Sequence, residues 1–359
     1  MKKFATEQKP VLSVPKKYDL LVFIGRFQPF HKGHQLVVER ALELSRNVLI
    51  IAGSAGKARS LRNPFTFEER KAMIRTVFPT VRVEPMSDSA YNDTQWVKGV
   101  QEIVKKVGIE LANPTDTKFR TNGWKDIKIG LIGCEKDHTS YYLKLFPQWD
   151  SENVQFVSPL NATAIRNMYF SGQLNKRWEA DAIIPDQVFK FLELFAETNA
   201  YQRLAEETAY IEKYKKEWGD GFFVTSDALV QVAGNILLIK RGKEYGHGLY
   251  GLPGGFVGKN EKFFEAAIRE LKEETRLKVP AAVLKGSVVG SDIFDDPHRS
   301  ERGRIITRCF HFRLENELEL PEVRGSDDAE WAGWVEISSL DEADFFEDHF
   351  HIIKKMLGV

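Results

Sequence analysis

The sequence predicts two α/β units in tandem: a parallel sheet flanked by helices, then a β-rich α+β unit. Three observations carry this. Apolar runs at Leu20–Ile24, Val48–Ala52, Val81–Glu84, Ile127–Ile132 and Val154–Val157 alternate with helical patterns, as βαβ units require. From Phe222 the pattern turns β-rich, with runs at Phe222–Thr225, Leu229–Ala233, Ile236–Lys240, Ser287–Ile293, Ile305–Phe312 and Trp331–Val335. Between the halves, a helical region rich in Glu, Lys, Ala and Leu runs from Pro185 to Trp218, and Gly219-Asp220-Gly221 ends it. The expected division is a flexible polar N-terminus over 1–17, a first domain over 18–185, a helical closing or linking region over 186–220 and a second domain over 221–359.

Lys+Arg and Asp+Glu each number 51, so the formal net charge is zero. That lacks the basic footprint of a nucleic-acid binder. The two cysteines, Cys134 and Cys309, lie far apart in strand-like runs and read as buried reduced thiols of a cytoplasmic protein. The opening MKKFATEQKP has no apolar stretch of the signal-peptide kind, and no run nears the roughly eighteen apolar residues of a membrane span, so no membrane partner is expected. Nothing in the sequence sets an oligomeric state, and a homo-oligomer stays open.

The first strand leads into GRFQPFHKGH, Gly25 to His34, and then into apolar residues at Val37, Ala41 and Leu44 that mark a helix. A strand-to-helix turn of this kind delivers His31 and His34 to a helix N-terminus, whose backbone N–H groups suit phosphate. Gly25 and Gly33 let backbone approach a ligand, Pro29 stiffens the loop, and Arg26 and Lys32 add positive charge. Histidines three apart are also a metal-ligand spacing or simply exposed polar residues. The motif resembles the HxGH signature of the nucleotidylyltransferase superfamily, and its full length resembles the archaeal-type NMN adenylyltransferases. The resemblance implies a Rossmann-like parallel sheet and adenylyl transfer from ATP to NMN, with His31 and His34 catalytic and Gly25, Arg26, Phe27 and Gly33 at the ATP phosphates.

Further segments follow the other strand ends, where ligands of such sheets bind. Gly53 begins GSAG and, with Ser54, is expected to line the ATP; Arg59 and Arg62 after it read either as phosphate contacts or as a solvated basic loop. Thr66 and Glu69 form a capping box that starts a helix near Phe67. Asp93 is the expected N-cap of the helix after Tyr91-Asn92. Trp96 fits either the core or a stack on a cationic ring. The resemblance places Asn92, Asp93 and Trp96 at NMN, and Lys136 and Asp137 near the ATP ribose and adenine. In Asn161-Ala-Thr163-Ala-Ile-Arg166, Asn161 is a good N-cap. The run resembles the superfamily's second signature, with Thr163 and Arg166 as its phosphate-binding parts; Asn161 and Ala164 depart from the usual residues. Arg166 joins the catalytic set. A phosphate monoester is largely a dianion at neutral pH, so the implied reaction needs no general base, only alignment and charge stabilisation. No Walker A loop is present.

In the second half, Pro253-Gly254-Gly255 forms a tight turn before a helix with Phe263, Ala267 and Leu271 on its apolar face. Glu270, Glu273 and Glu274 share another face, an arrangement that is either a solvated acidic surface or a cation site. Gly255, Glu261, Arg269-Glu270-Leu271 and Glu273-Glu274 resemble the Nudix box at each spacing. That resemblance implies Mg²⁺, with Mn²⁺ as the alternative, held by catalytic Glu270, Glu273 and Glu274, and Glu261 orienting Arg269. Arg276 stands where the box has its last glycine. The loop Asp295–Arg304 and the segment Phe345–His349 resemble Nudix members that cleave ADP-ribose. This implies ADP-ribose contacts from Arg241, Gly254, Gly255, Arg299 and Arg304, with Asp348 or His349 positioning substrate or water.

Together these readings make a bifunctional enzyme of NAD metabolism acting on small molecules: ATP and NMN in one domain, ADP-ribose in the other. Two rivals differ from it. In one, the second domain is a non-catalytic ADP-ribose sensor, which the intact set of box glutamates speaks against. In the other, the first domain uses a different phosphorylated acceptor, such as phosphopantetheine or a sugar phosphate.

Overall fold

The computed structural model describes residues 15–112, 123–134, 143–155, 161–175, 183–219, 221–242, 245–315 and 320–359. The first half is a five-stranded parallel sheet in the order β3-β2-β1-β4-β5. Its strands are β1 (Tyr18–Gly25), β2 (Ser45–Ala52), β3 (Arg82–Pro85), β4 (Ile129–Gly133) and β5 (Asp150–Asn153). Alternate residues of β1 face opposite layers. Leu21 and Phe23 pack with α1 (Lys32–Leu44) and α2 (Phe67–Val77), while Leu20 and Val22 pack with α3 (Asp93–Leu111). The strand order reverses between β1 and β4, and the crevice beyond their carboxyl ends is where such sheets bind ligands.

Three local expectations are corrected. The fifth strand is Asp150–Asn153, ahead of the expected Val154–Val157, of which residues 156–157 lie outside the described residues; among the described residues it pairs with β4 alone, and an edge strand needs no apolar run. The N-cap of α3 is Asn92, whose side chain accepts from the Gln95 N–H, and Asp93 is the first helical residue. The region after Pro185 is two helices, α5 (Asp186–Phe195) and α6 (Asn199–Trp218), because Thr198 caps a new start by accepting from the Tyr201 N–H. An earlier short helix, α4 (Ala162–Phe170), is capped by Asn161 as expected. The α2 capping box forms between Thr66 and Glu69.

The second half has a mixed sheet in the order β10-β11-β6-β7-β12, formed by β6 (Phe222–Val232), β7 (Asn235–Arg241), β10 (Val288–Phe294), β11 (Arg304–Leu314) and β12 (Ala329–Glu336). The short strands β8 (Tyr250–Gly251) and β9 (Gly254–Phe256) pair with β7 and β6. The two runs expected within 222–233 are one continuous strand, β6, because neither Ser226 nor Asp227 interrupts its pairing to β11. Val230 and Leu237 pack beneath α7 (Phe263–Thr275); a short helix α8 (Ala281–Gly286) follows. Leu229 and Leu238 pack under α9 (His349–Leu357) on the opposite face. Helix α6 touches both halves: Leu204 lies in the first core, and Ile211 packs with Tyr245 and Phe346. Among the described residues no helix is long and apolar enough to cross a membrane. Cys309 is buried and Cys134 half-buried.

Arg276 ends α7 in the left-handed conformation, φ 55° and ψ 19°, where glycine is preferred. Its Nε donates to Ser326 Oγ at 2.9 Å, which offsets part of the cost. Arg276→Gly is expected to stabilise the protein by up to about 1 kcal/mol, read as a rise in thermal midpoint.

Candidate active sites

His31 is the N-cap of α1, and His34 is its third helical residue. His31 Nδ1 accepts from the Gly33 N–H at 3.1 Å, and His34 Nδ1 accepts from the His31 N–H at 3.3 Å. The rings stack with centroids 3.7 Å apart. Acceptance at Nδ1 places the proton of each neutral ring on Nε2, so both imidazoles present an Nε2 donor at a helix N-terminus. The pair is backed by Phe27, Phe30 and Phe23. Phe27 has φ 54°, and a Cβ on Gly25 would meet its ring at 3.0 Å, so Gly25 lets that ring lie over the strand end.

Arg26, Arg62 and Arg166 lie in one another's field. Burial, and then the Arg62 charge, lower Arg26 to about 10; burial, and then Arg26, lower Arg166 to about 10. An anion there would relieve both penalties. Arg166 is also a brace: its Nε donates to Leu61 O, Nη1 to Gln28 O and Nη2 to Thr163 Oγ1. Gly53 joins the ends of β1 and β2 through its N–H to Gly25 O at 2.9 Å. Arg59 is engaged by Glu69 through two hydrogen bonds, 2.6 and 2.8 Å, whereas the Arg62 charge is felt at Arg26. Asn92 and Asp93 are exposed at the start of α3, and Trp96 is half-buried with its ring 6.1 Å from Phe146. Lys136 and Asp137 lie outside the described residues.

In the second half, Glu274 is buried, and its Oε2 accepts from the Gly254 N–H at 2.9 Å. Burial above all, and also the nearby Glu270 charge, push its carboxyl up to about 8. A Cβ on Gly254 would stand 2.6 Å from the Ser226 carbonyl oxygen, so that position requires glycine, and one on Gly255 would stand 2.4 Å from Glu270 Oε1 and displace that carboxylate. Arg269 is bound by Glu261 at 2.8 and 2.9 Å, as expected, and its Nη1 also reaches Glu270 at 2.7 Å and Glu273 at 2.9 Å. Among the described residues no three His, Cys, Asp or Glu side chains converge on one point as they stand. Glu273 is exposed and turned to Arg269, leaving Glu270 and Glu274 as the inner pair. A buried carboxyl, Glu274, beside a half-buried one, Glu270, each pushed up by burial, is a donor set that a hard divalent cation fits.

Arg241 is held by Tyr245 O and lies over the Phe346 ring at 4.1 Å, close enough for its charge to be felt at Glu274. Arg299 makes a buried two-point ion pair with Asp348 at 2.8 and 2.9 Å, and Arg304 is tied to the Asp295 carbonyl. His349 Nδ1 accepts from the Leu252 N–H at 3.0 Å, and burial lowers its pKa to about 3, so it is neutral.

Residues 22–136 match the Cytidylyltransferase-like family model, and residues 221–356 match the NUDIX domain model. A nicotinamide/nicotinic acid mononucleotide adenylyltransferase of Acinetobacter baylyi is 35% identical over 196 residues, 53% of this chain and 94% of the relative. An ADP-ribose pyrophosphatase of Methanocaldococcus jannaschii is 34% identical over 131 residues, 36% of this chain and 70% of the relative. One solved structure spans both halves: a bifunctional NMN adenylyltransferase/ADP ribose pyrophosphatase from Francisella tularensis, complexed with AMP and manganese ion. It is 34% identical, with a TM-score of 0.83, and the match covers 95% of this chain and 99% of that one. The chain belongs to this bifunctional family.

Two residues of this family member were not singled out from the sequence. Arg70 is fully buried and donates to Arg26 O, Gly53 O and Ser54 O, stapling the loops after β1 and β2. Its signal is an arginine on the buried stripe that also holds Met73 and Ile74. Arg70→Met is expected to lower stability by about 3 kcal/mol, because three buried carbonyls lose a charged donor; urea unfolding measures this. Asp227 lies beneath the glycine turn, accepts from Thr307 Oγ1 at 2.6 Å and is pushed up to about 6 by burial. Its signal is an acid inside an otherwise apolar strand.

Proposed function

We propose that the protein transfers AMP from ATP to NMN, releasing pyrophosphate and forming NAD, and hydrolyses ADP-ribose to AMP and ribose 5-phosphate. The observation that carries this is the match of nearly the whole chain to one bifunctional enzyme. A phosphate oxygen of NMN attacks the α-phosphorus of ATP, and the bond to the β-phosphate oxygen breaks. Arg26 follows the end of β1, and Arg166 reaches from α4 to the loops after β1 and β2, where charge would be redistributed among the phosphates. The Nε2 donors of His31 and His34 would meet the phosphate oxygens, and α1 adds the positive end of its dipole. The exposed carboxamide and carboxylate of Asn92 and Asp93 are suited to the nicotinamide amide, and Trp96 offers a face to its ring.

In the second domain, Glu270 and Glu274 would hold a divalent cation, Mg²⁺ in our reading, with Glu273 at the rim. Such a cation neutralises the diphosphate and acidifies the attacking water. Arg269, braced by Glu261, keeps Glu270 and Glu273 in place. Arg241 lines the same site from β7.

A substrate panel tests the assignment. With Mg²⁺ and ATP, NMN should be adenylylated in preference to phosphopantetheine and sugar phosphates; ADP-ribose should be cleaved in preference to other nucleoside diphosphates. Preference for another acceptor would overturn the first half. Saturable ADP-ribose binding without cleavage would overturn the second.

A further inference from the structure

Tyr91 directly precedes Asn92, the N-cap of α3, yet its side chain belongs to the other domain. Its hydroxyl donates to Asp348 Oδ2 at 2.5 Å. Its ring meets Phe294 edge-on, with centroids 5.0 Å apart, and Lys355 Nζ lies 5.5 Å from the ring centre. The ring thus packs against the core formed by β10 and α9. Its backbone is left-handed, φ 68°, a conformation that β-carbon sterics disfavour and that surrounding contacts must hold. Asp348 is itself buried and fixed by the two-point pair with Arg299. Burial, and then the Asp348 charge, push the Tyr91 hydroxyl well above its ordinary range, so it stays a donor.

Arg299 and Asp348 are committed to each other, and Asp348 also to Tyr91. We propose that the Arg299–Asp348 pair of the hydrolase domain is a positioning element for the NMN site of the adenylyltransferase domain, acting through Tyr91. The pair fixes the residue before the cap, and so sets where Asn92, Asp93 and Trp96 stand relative to the bound nucleotide. The inference rests on the reading of Asn92, Asp93 and Trp96 as the NMN contacts.

The test is steady-state kinetics on the full-length protein with Tyr91→Phe, which removes one oxygen and keeps the ring. KM for NMN should rise at least about fivefold, with kcat, KM for ATP and ADP-ribose cleavage little changed. In an Asp348→Ala background the same substitution should add nothing further, because the acceptor of the tyrosine hydroxyl is already gone. Asn92→Ala serves as the reference and should also raise KM for NMN. If Asn92→Ala raises it and Tyr91→Phe does not, the positioning role is overturned while the NMN site stands. If neither raises it, the site reading fails and the proposal with it. An equal Tyr91→Phe effect with and without Asp348 would also overturn the proposal.

Discussion

His34→Ala is expected to lower kcat for adenylyl transfer by about a hundredfold to a thousandfold, the usual consequence of removing one preorganised donor from a site of developing charge. His34 stacks on His31 and accepts its backbone N–H, so alanine also loosens the cap of α1. Hydrolysis of ADP-ribose should be unaffected, because Glu270 and Glu274 lie on α7, which packs on the separate second sheet. Parallel assays of NAD formation and AMP release on the same preparation decide this. Equal loss of both activities would mean that the two sites are not independent.

Glu274→Gln should abolish hydrolysis and spare adenylyl transfer, and its effect on stability should reverse with pH. The Glu274 carboxyl is raised to about 8 in the folded protein by burial. A carboxyl raised on folding contributes fully below its unfolded value near 4.5, and that contribution is lost as pH rises through the folded value. Metal-free wild type should therefore weaken between about pH 4.5 and 8, by at most on the order of 4 kcal/mol. Glutamine, which cannot ionise, should remove that decline: the variant is the more stable protein at pH 8.5 in EDTA and is no more stable than wild type at pH 4.5. Added Mg²⁺ should raise the wild-type melting temperature and leave the variant unmoved. Thermal melts across pH, with and without metal, read both effects.

Elements with strong local chemistry were legible in the sequence. Alternating apolar runs fixed four parallel strands, and side-chain caps at Thr66 and Asn161 placed two helix starts. The Nudix-box spacing located Glu261 against Arg269 because that bond is local to one helix and the loop before it. What escaped was set by distant contacts. The polar strand Asp150–Asn153 exists because β4 pairs with it, not because of its own composition. Arg70 and Asp227 are buried polar groups satisfied by partners 16 to 80 residues away. Arg299 reads as a ligand contact in a polar loop, and only the fold brings Asp348 to it. Tyr91 reads from the sequence only as the residue before Asn92, and only the fold brings Asp348 to its hydroxyl.

One chain carries both an NAD-forming and an ADP-ribose-cleaving site. Phosphorus NMR of products from a single purified sample with Mg²⁺ tests it most directly. With ATP and NMN, the spectrum should gain the diphosphate signals of NAD and free pyrophosphate in equal amounts. With ADP-ribose, it should gain the two monoesters AMP and ribose 5-phosphate. ATP and NMN left unchanged, or ADP-ribose left intact while NAD is formed, would contradict the account.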